Sequence, residues 1–421
     1  MMEEAAVTHG GAPRAASANV PQAITGITVA PGARILTGIG ELDRLLGGGL
    51  APGMAVLVGG DPGIGKSTLM LQAADRLARS GRRCLYVTGE ESPRQMKLRA
   101  ERLNAQNENL LVLAETDVEG VCAHIEQAKP GLVIVDSIQT MRRDDVPGTP
   151  GTVTQVRECA ARLVRLCKEL ELPLFLVGHI TKSGAIAGPK ILEHMVDCVL
   201  YFEGNHLQAY RILRATKNRF GPTNEIAVFE MTASGLEEVA NPSAAFLPAE
   251  GKDASSGTAI IAAAEGTRAL LVEIQALTAR SAYGSPARRV TGVDFNRVAM
   301  LLAVLDRRVG IRLEDADVFV NAVGGMRVEE PAADLGIAVA VASSLYDKPL
   351  PLDAVFIAEV GLGGELRAVP SLETRLREAE KLGFKSAFIA YANSLKAVQK
   401  GEMRLAPFKT LAEVIQSVLR K

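Results

Sequence analysis

An α/β protein with a mostly parallel sheet is predicted by three observations. Short apolar runs of β-forming residues alternate with helical segments from Ala55 to about residue 240, and strands alternating with helices imply βαβ crossovers. A glycine-rich octapeptide joins the first apolar run to the first amphipathic helix. A second alternation begins near Thr258, after a stretch rich in Pro, Ser, Gly and Ala.

Taken in order, residues 1–25 mix Ala, Gly, Ser and Pro without periodicity and are expected to form a flexible arm. The first domain, 26–240, then contains the strand-like run MAVLVGG and the helix KSTLMLQAADRLARSG. Its further strand-like runs are CLYVTGE, LLVLAE, LVIVDSI, LPLFLVGHI and CVLYFEG. Alternation in YRILRATKNRF and IAVFEMT adds two strands as an antiparallel extension. Residues 241–257, NPSAAFLPAEGKDASSG, are the expected linker. The second domain, 258–421, is a further α/β unit, with strands in ALLVEIQAL, DVFVNAVGG, VFIAEV and SAFIA. Its helices are expected through FNRVAMLLAVLDRRVG, ADLGIAVAVASSLY and LETRLREAEKLG.

Composition sets limits on function. Lys and Arg total 47 against 48 Asp and Glu, a net charge of −1, so no global basic field announces nucleic acid and any anionic partner must bind locally. Hydrophobic residues at 48% and charged residues at 23% argue for a globular chain over most of its length. No apolar stretch approaches the roughly eighteen residues a membrane span needs. The start MMEEAAV is acidic where a secretory leader would be basic. A cytoplasmic protein without a membrane partner is expected. The five cysteines, Cys84, Cys122, Cys159, Cys167 and Cys198, include no CxxC pair, which indicates neither a disulfide framework nor a cysteine zinc site.

The strongest motif is Gly60-Asp61-Pro62-Gly63-Ile64-Gly65-Lys66-Ser67, followed by Thr68, between a strand and an amphipathic helix. It fits the P-loop pattern in the context that pattern requires. Glycines allow backbone N–H groups to converge on phosphates, Lys66 reaches the outer phosphates, and the Ser67 hydroxyl ligates Mg²⁺. ATP with Mg²⁺ is the expected cofactor pair. LVIVDSI ends in Asp136, which would hold the metal shell from a neighbouring strand tip. Ser137 follows it, so no second acid is adjacent, and the base must come from elsewhere. Glu90, in CLYVTGEES, is placed to polarise the attacking water, with Glu91 as the competing candidate. His179 and Thr181, at the end of a further strand, are candidates to sense the terminal phosphate. His124 and His194 have no partners at metal spacing and read as structural.

TGIGELDRLLGGGLAPG (37–53), GDPGIGKS, VTGEES, LVIVDSIQT, GHITKSGAIAGPKILEHMVD and KNRFG (217–221) together resemble the bacterial RadA (Sms) family of recombination proteins along nearly the whole chain. The P-loop and TGI-ELD alone would indicate only the wider RecA and KaiC group; KNRFG and the GPK-LEHMVD segment carry the narrower resemblance. It implies a RecA-like ATPase core assembling as a homo-oligomeric, hexameric ring like DnaB-type helicases. It further implies binding of single-stranded and branched DNA, branch migration of recombination intermediates, and partnership with the recombinase RecA. By the same resemblance, Lys217 and Arg219 are family-specific residues that in a ring would reach a neighbour's ATP as an arginine finger does. DNA contact is expected from Arg142, Arg143, Lys182 and Lys190, led by phosphates because aromatics are only 4%.

The chain departs from the family in two places. The family's four-cysteine zinc module has no counterpart at the N-terminus, so zinc is not expected here. Residues 258–421 resemble the proteolytic domain of Lon, yet Ala332 stands where that domain has its serine and Glu373 where it has its lysine. A methyl group is no nucleophile and a carboxylate does not replace a neutral amine, so an inactive protease scaffold is expected, retained for ring assembly and for duplex contact through Arg288, Arg289, Arg307 or Arg308. The alternatives to a DNA-stimulated motor are an ATP-dependent protease, opposed by Ala332 and Glu373, and an ATP-gated assembly switch without DNA.

Overall fold

The computed structural model describes residues 23–26, 34–179, 189–203, 210–247, 255–281, 286–394 and 401–419. Residues 1–33 form one unit and Arg34–Lys421 another. In the first, a single 3-10 turn, Ile24–Gly26, is described; most of the expected arm lies outside the described residues.

The second unit opens with α1 (Gly40–Leu45) and builds a nine-stranded sheet. Its strands are β1 (Ala55–Gly59), β2 (Cys84–Thr88), β3 (Leu110–Ala114), β4 (Leu132–Asp136), β5 (Leu174–Val177), β6 (Cys198–Glu203), β7 (Tyr210–Asn218), β8 (Ile226–Thr232) and β9 (Gly235–Glu238). The order is β3-β2-β4-β5-β1-β6-β7-β8-β9. The strands from β3 to β6 are parallel and the remainder antiparallel, so the antiparallel extension has three strands rather than two. GLEE in β9 is too short and too acidic to announce a strand; it pairs because it returns directly beside β8. Helices α2 (Lys66–Arg79), α3 (Pro93–Arg102), α4 (Val118–Ala128) and α5 (Val153–Glu169) are the crossovers. β1, β2 and β4 are buried throughout, as expected for strands covered on both faces.

The stretch expected as a linker departs from that expectation at its start. Asn241 caps a helical turn, α6 (Pro242–Ala245), and Phe246 is fully buried. Its ring meets Tyr210 of β7 edge-on at 6.2 Å, and its carbonyl accepts from the Glu273 amide. Gly324 makes room for it: a Cβ there would lie 2.3 Å from the ring, and the φ of +76° favours glycine. A buried aromatic outweighs local turn propensity, which is why composition alone misreads the segment. Residues 248–254 lie outside the described residues.

Residues beyond 257 form a seven-stranded sheet from β10 (Thr258–Glu265), β11 (Arg268–Arg280), β12 (Arg288–Thr291), β13 (Ala316–Ala322), β14 (Ala354–Ile357), β17 (Ser386–Ala390) and β18 (Arg404–Phe408), in the order β12-β13-β11-β10-β14-β17-β18. A small hairpin, β15 (Glu359–Val360) with β16 (Leu366–Arg367), stands apart. Helices α7 (Phe295–Val304), α8 (Asp334–Tyr346), α9 (Leu372–Lys381), α10 (Tyr391–Ser394) and α11 (Leu411–Leu419) complete the unit. α8 is buried along most of its length, matching its almost unbroken apolar sequence.

The two sheets share a core. Ile212, Ile226 and Val228 of the first pack in one cluster with Ile261, Leu270 and Ile274 of the second. The β10–β11 turn is also clamped by charge: Arg268 pairs with Glu41 of α1 at 3.0 Å, and the Thr267 amide donates to buried Glu225 at 2.6 Å. Arg44 closes the group by pairing with both Glu225 and Glu41. The five cysteines are buried and free. Among the described residues no helix is long and apolar enough to cross a membrane.

Because Phe246 bridges both sheets, Phe246→Ala is expected to cost about 3–5 kcal/mol. Chemical denaturation followed by circular dichroism measures this, and a loss below about 1 kcal/mol would count against the shared core.

Candidate nucleotide site

Parallel strands bring their C-terminal ends to one edge of the sheet, and the site lies there. β1 enters the glycine loop, which turns into α2 with Gly65 as its N-cap. Gly60, at φ +151°, is pressed against β6, where a Cβ would come within 2.9 Å of Phe202. The loop leaves Pro62 and Gly63 exposed and Ile64 buried as an anchor, with the Ile64 carbonyl accepting from Arg211 Nε at 3.2 Å. Ser67 and Thr68 follow on the first turn of α2, half-buried.

Lys66 is only 3% exposed. Its Nζ donates to the carbonyls of Gly60 and Asp61 at 2.8 and 2.9 Å. Burial lowers its pKa to about 8, against the pull of Asp136, Asp61 and Glu90, which favour the charged form.

The acids come from β2 and β4. Asp136, 7% exposed, accepts from the hydroxyl of fully buried Tyr86 at 2.5 Å. Burial, with the neighbouring Asp136 carboxylate, pushes the Tyr86 phenol well above its ordinary pKa. Glu90 is about half exposed, with a side-chain exposure of 48%. Its Oε1 lies 3.4 Å from His179 Nε2 and accepts from Ser137 Oγ at 2.6 Å. Those contacts, His179 foremost, lower its pKa to about 2. Glu91 instead pairs with Arg99 of α3, so its carboxylate is already engaged by a cation. The amides of both glutamates are held by Thr88 Oγ1. His179 is fixed through its carbonyl, which accepts from Gln139 Nε2 at 3.1 Å. Its Nδ1 is buried without a partner among the described residues.

Lys66, Ser67, Glu90, Asp136 and His179 line one cavity of about 310 Å³. The donor set fits a nucleotide with Mg²⁺: a backbone cradle and an ammonium for phosphates, with one hydroxyl and one carboxylate for a metal that takes its remaining ligands from phosphates and water. Bound there, the metal would neutralise charge on the phosphates. Among the described residues no cluster of three or more His, Cys, Asp or Glu side chains is placed to hold a metal by itself.

Other expected residues lie elsewhere. Lys217 Nζ donates to the carbonyls of Glu193 and Val196 at 2.6 and 2.8 Å. Arg219, 60% exposed, contacts Asp197 at 3.4 Å. Asp197 also accepts from the amide of Ala55, the first residue of β1, so both cations sit at the end of the strand opposite the glycine loop. Arg142 pairs with Asp144, and Arg143 with Asp145 and Glu119. Lys190 is exposed. Thr181 and Lys182 lie outside the described residues.

Sequence reading misses Tyr86, Thr88, Gln139 and Arg99. Tyr86 looks like one more apolar strand residue, and only the register of β2 with β4 reveals its polar end.

The fold and the site define a RecA-like P-loop ATPase, and the AAA domain family matches residues 29–185. Over 414 residues the chain is 49% identical to the DNA repair protein RadA of Listeria monocytogenes, covering 98% of this chain and 89% of that protein. Over 376 residues it is 54% identical to RadA of Halalkalibacterium halodurans (89% and 81% covered). Over 382 residues it is 49% identical to RadA of Escherichia coli (91% and 82% covered). The chain belongs to the RadA family of DNA repair proteins.

The lowered pKa of Lys66 has a measurable sign. Negative phosphate beside the amine raises its pKa on binding, so the complex takes up protons when pH stands above about 8. ATP affinity is therefore expected to weaken as pH rises past that value, and Lys66→Arg to remove the step. Calorimetry in buffers of different ionisation enthalpy measures the uptake; affinity independent of pH in the parent protein would contradict a buried, titrating lysine.

Proposed function

We propose that this chain is an ATP-driven motor acting on DNA: a hexameric ring, stimulated by single-stranded DNA, that unwinds or migrates branched recombination intermediates alongside RecA. In this reading Lys66 and the Gly60–Thr68 loop bind the triphosphate, Ser67 and Asp136 hold Mg²⁺, and Glu90 activates water. His179 senses the terminal phosphate through Glu90. The observation that carries the ring is the position of Arg219. It is exposed and at the far end of β1 from its own glycine loop, so it contributes to an ATP site only across a subunit boundary. Lys217, tied to its own chain's carbonyls, supports the same segment.

Residues 258–421 serve as a proteolytically inactive, Lon-like scaffold. Ala332 is a buried methyl group, and Glu373 is exposed on α9. Of the arginines considered for duplex contact, Arg288 is spent on the carbonyls of Ala316 and Leu313, whereas Arg307 is 86% exposed. The ion pairs at Arg142 and Arg143 point to a second reading, in which ATP sets ring assembly without DNA, because phosphates would have to displace carboxylates already in place, although these are exposed pairs that hold only weakly.

Hydrolysis measured with and without single-stranded DNA at low and moderate salt separates the two readings. The motor predicts stimulation that fades with salt, with Lys66→Ala as the inactive blank; hydrolysis indifferent to DNA would favour the switch. Arg219→Ala and Glu90→Gln are each expected to lose turnover while retaining ATP binding. Mixed together, they should recover part of it, since Arg219 of one subunit then meets an intact Glu90 in another; no recovery would refute the shared site.

A further inference from the structure

The tips of β2 and β4 exchange hydroxyl groups. Tyr86 of β2 donates to the carboxylate of Asp136, the last residue of β4. Ser137, directly after β4, donates to the carboxylate of Glu90, just beyond β2. The register pairs Thr88 with Asp136, so one bond crosses below that pair and the other above it. Tyr86 and Ser137 are both 0% exposed; the Tyr86–Asp136 bond is buried, so bulk water does not compete for it, whereas the Ser137–Glu90 bond is shielded on the serine side only. Each bond occupies one carboxylate oxygen, Oδ2 of Asp136 and Oε1 of Glu90. Holding one oxygen fixes the direction of the other. His179 reaches the same Oε1, but at 3.4 Å against 2.6 Å for Ser137, so the serine bond is the tighter restraint.

We propose that Tyr86 and Ser137 are positioning residues forming a reciprocal latch: Tyr86 aims Asp136 at the metal shell, and Ser137 aims Glu90 at the attacking water. The inference rests on the roles proposed above for Asp136 and Glu90. Its physical content is separability. Each hydroxyl acts on one carboxylate only, so removing it disturbs one function and spares the other, although the two bonds lie within a few residues of each other. Hydrogen-bond partners of metal-bound carboxylates are worth about ten- to a hundredfold in metal affinity, and a hydrogen bond to a charged group carries a comparable weight.

The test uses the full chain with Tyr86→Phe, Ser137→Ala and Ser137→Thr. A fluorescent ATP analogue is titrated with Mg²⁺, and steady-state hydrolysis is measured separately. Tyr86→Phe is expected to raise the Mg²⁺ concentration at half-maximal binding by about tenfold, with analogue affinity in EDTA unchanged. Ser137→Ala is expected to lower kcat by about tenfold with the Mg²⁺ midpoint unchanged, and Ser137→Thr, which keeps a hydroxyl, to restore kcat. If both variants move both quantities together, the hydroxyls merely brace the strand tips and the latch is overturned; if neither variant moves either quantity, it is overturned as well. Should Tyr86→Phe fail to fold, the Ser137 pair still decides, since equal kcat in the alanine and threonine variants refutes it. Glu90→Gln and Asp136→Asn isolate the underlying assignment: turnover in the former, or a normal Mg²⁺ midpoint in the latter, would remove the roles themselves rather than the latch.

Discussion

A buried ammonium group is the constraint on which the nucleotide end of the protein depends. Lys66 is nearly inaccessible, and an unpaired buried charge would cost several kcal/mol. The loop answers with its own carbonyls, those of Gly60 and Asp61, which requires the chain to curl back over the lysine before α2 begins. That curl is what presents backbone N–H groups outward. The acids around it follow from strand order. β5 and β6 flank β1, β4 lies next to β5 and β2 next to β4, so Asp136, His179 and Glu90 arrive from successive parallel strands at the same edge. The negative charge of Asp136, Asp61 and Glu90 favours the protonated lysine, and the lysine helps to keep Glu90 ionised. The charges of the site are thus mutually supporting before any ligand enters.

The same economy of buried charge joins the two sheets. Glu225 is 1% exposed and is compensated by Arg44 of α1 and by the Thr267 amide of the β10–β11 turn. Arg214 of β7 reaches both Glu203 and Glu265, bridging the sheets a second time. Breaking such a group by removing one partner strands the other in the interior, so the junction resists partial opening. Together with the apolar cluster of Ile212, Ile226, Val228 and Phe246, it joins the second sheet to the first through packed and paired side chains.

Legibility in the sequence follows the range of the interactions. The glycine loop is readable because it is local: eight consecutive residues, a strand before and a helix after, carry their own context. Asp136 is readable because a strand-end acid after four apolar residues is also local. Tyr86 is not, since an aromatic within an apolar run gives no sign of its polar end, and its partner lies fifty residues away. The choice between Glu90 and Glu91 is equally closed to sequence. Adjacent acids point different ways, and only Arg99 on α3 and Ser137 beyond β4 distinguish them. Phe246 shows the limit on the fold side: surrounded by turn-forming residues, it is claimed by a pocket that Gly324 opens from far along the chain.

Asp197 links these themes. One carboxylate oxygen accepts from the Ala55 amide at the start of β1, and the other contacts Lys168 and Arg219. The strand that bears the glycine loop at one end is therefore anchored at the other by the acid that also holds the exposed Arg219. In the proposed ring, Arg219 leaves Asp197 when a neighbour's phosphates draw it away, and Lys168 at 3.1 Å is then the cation left to neutralise that acid. Asp197 is 4% exposed, so the exchange carries a desolvation cost that Lys168 keeps small. The five residues of β1, hydrogen-bonded on both sides, and the glycine loop that follows them separate Asp197 from the subunit's own Lys66.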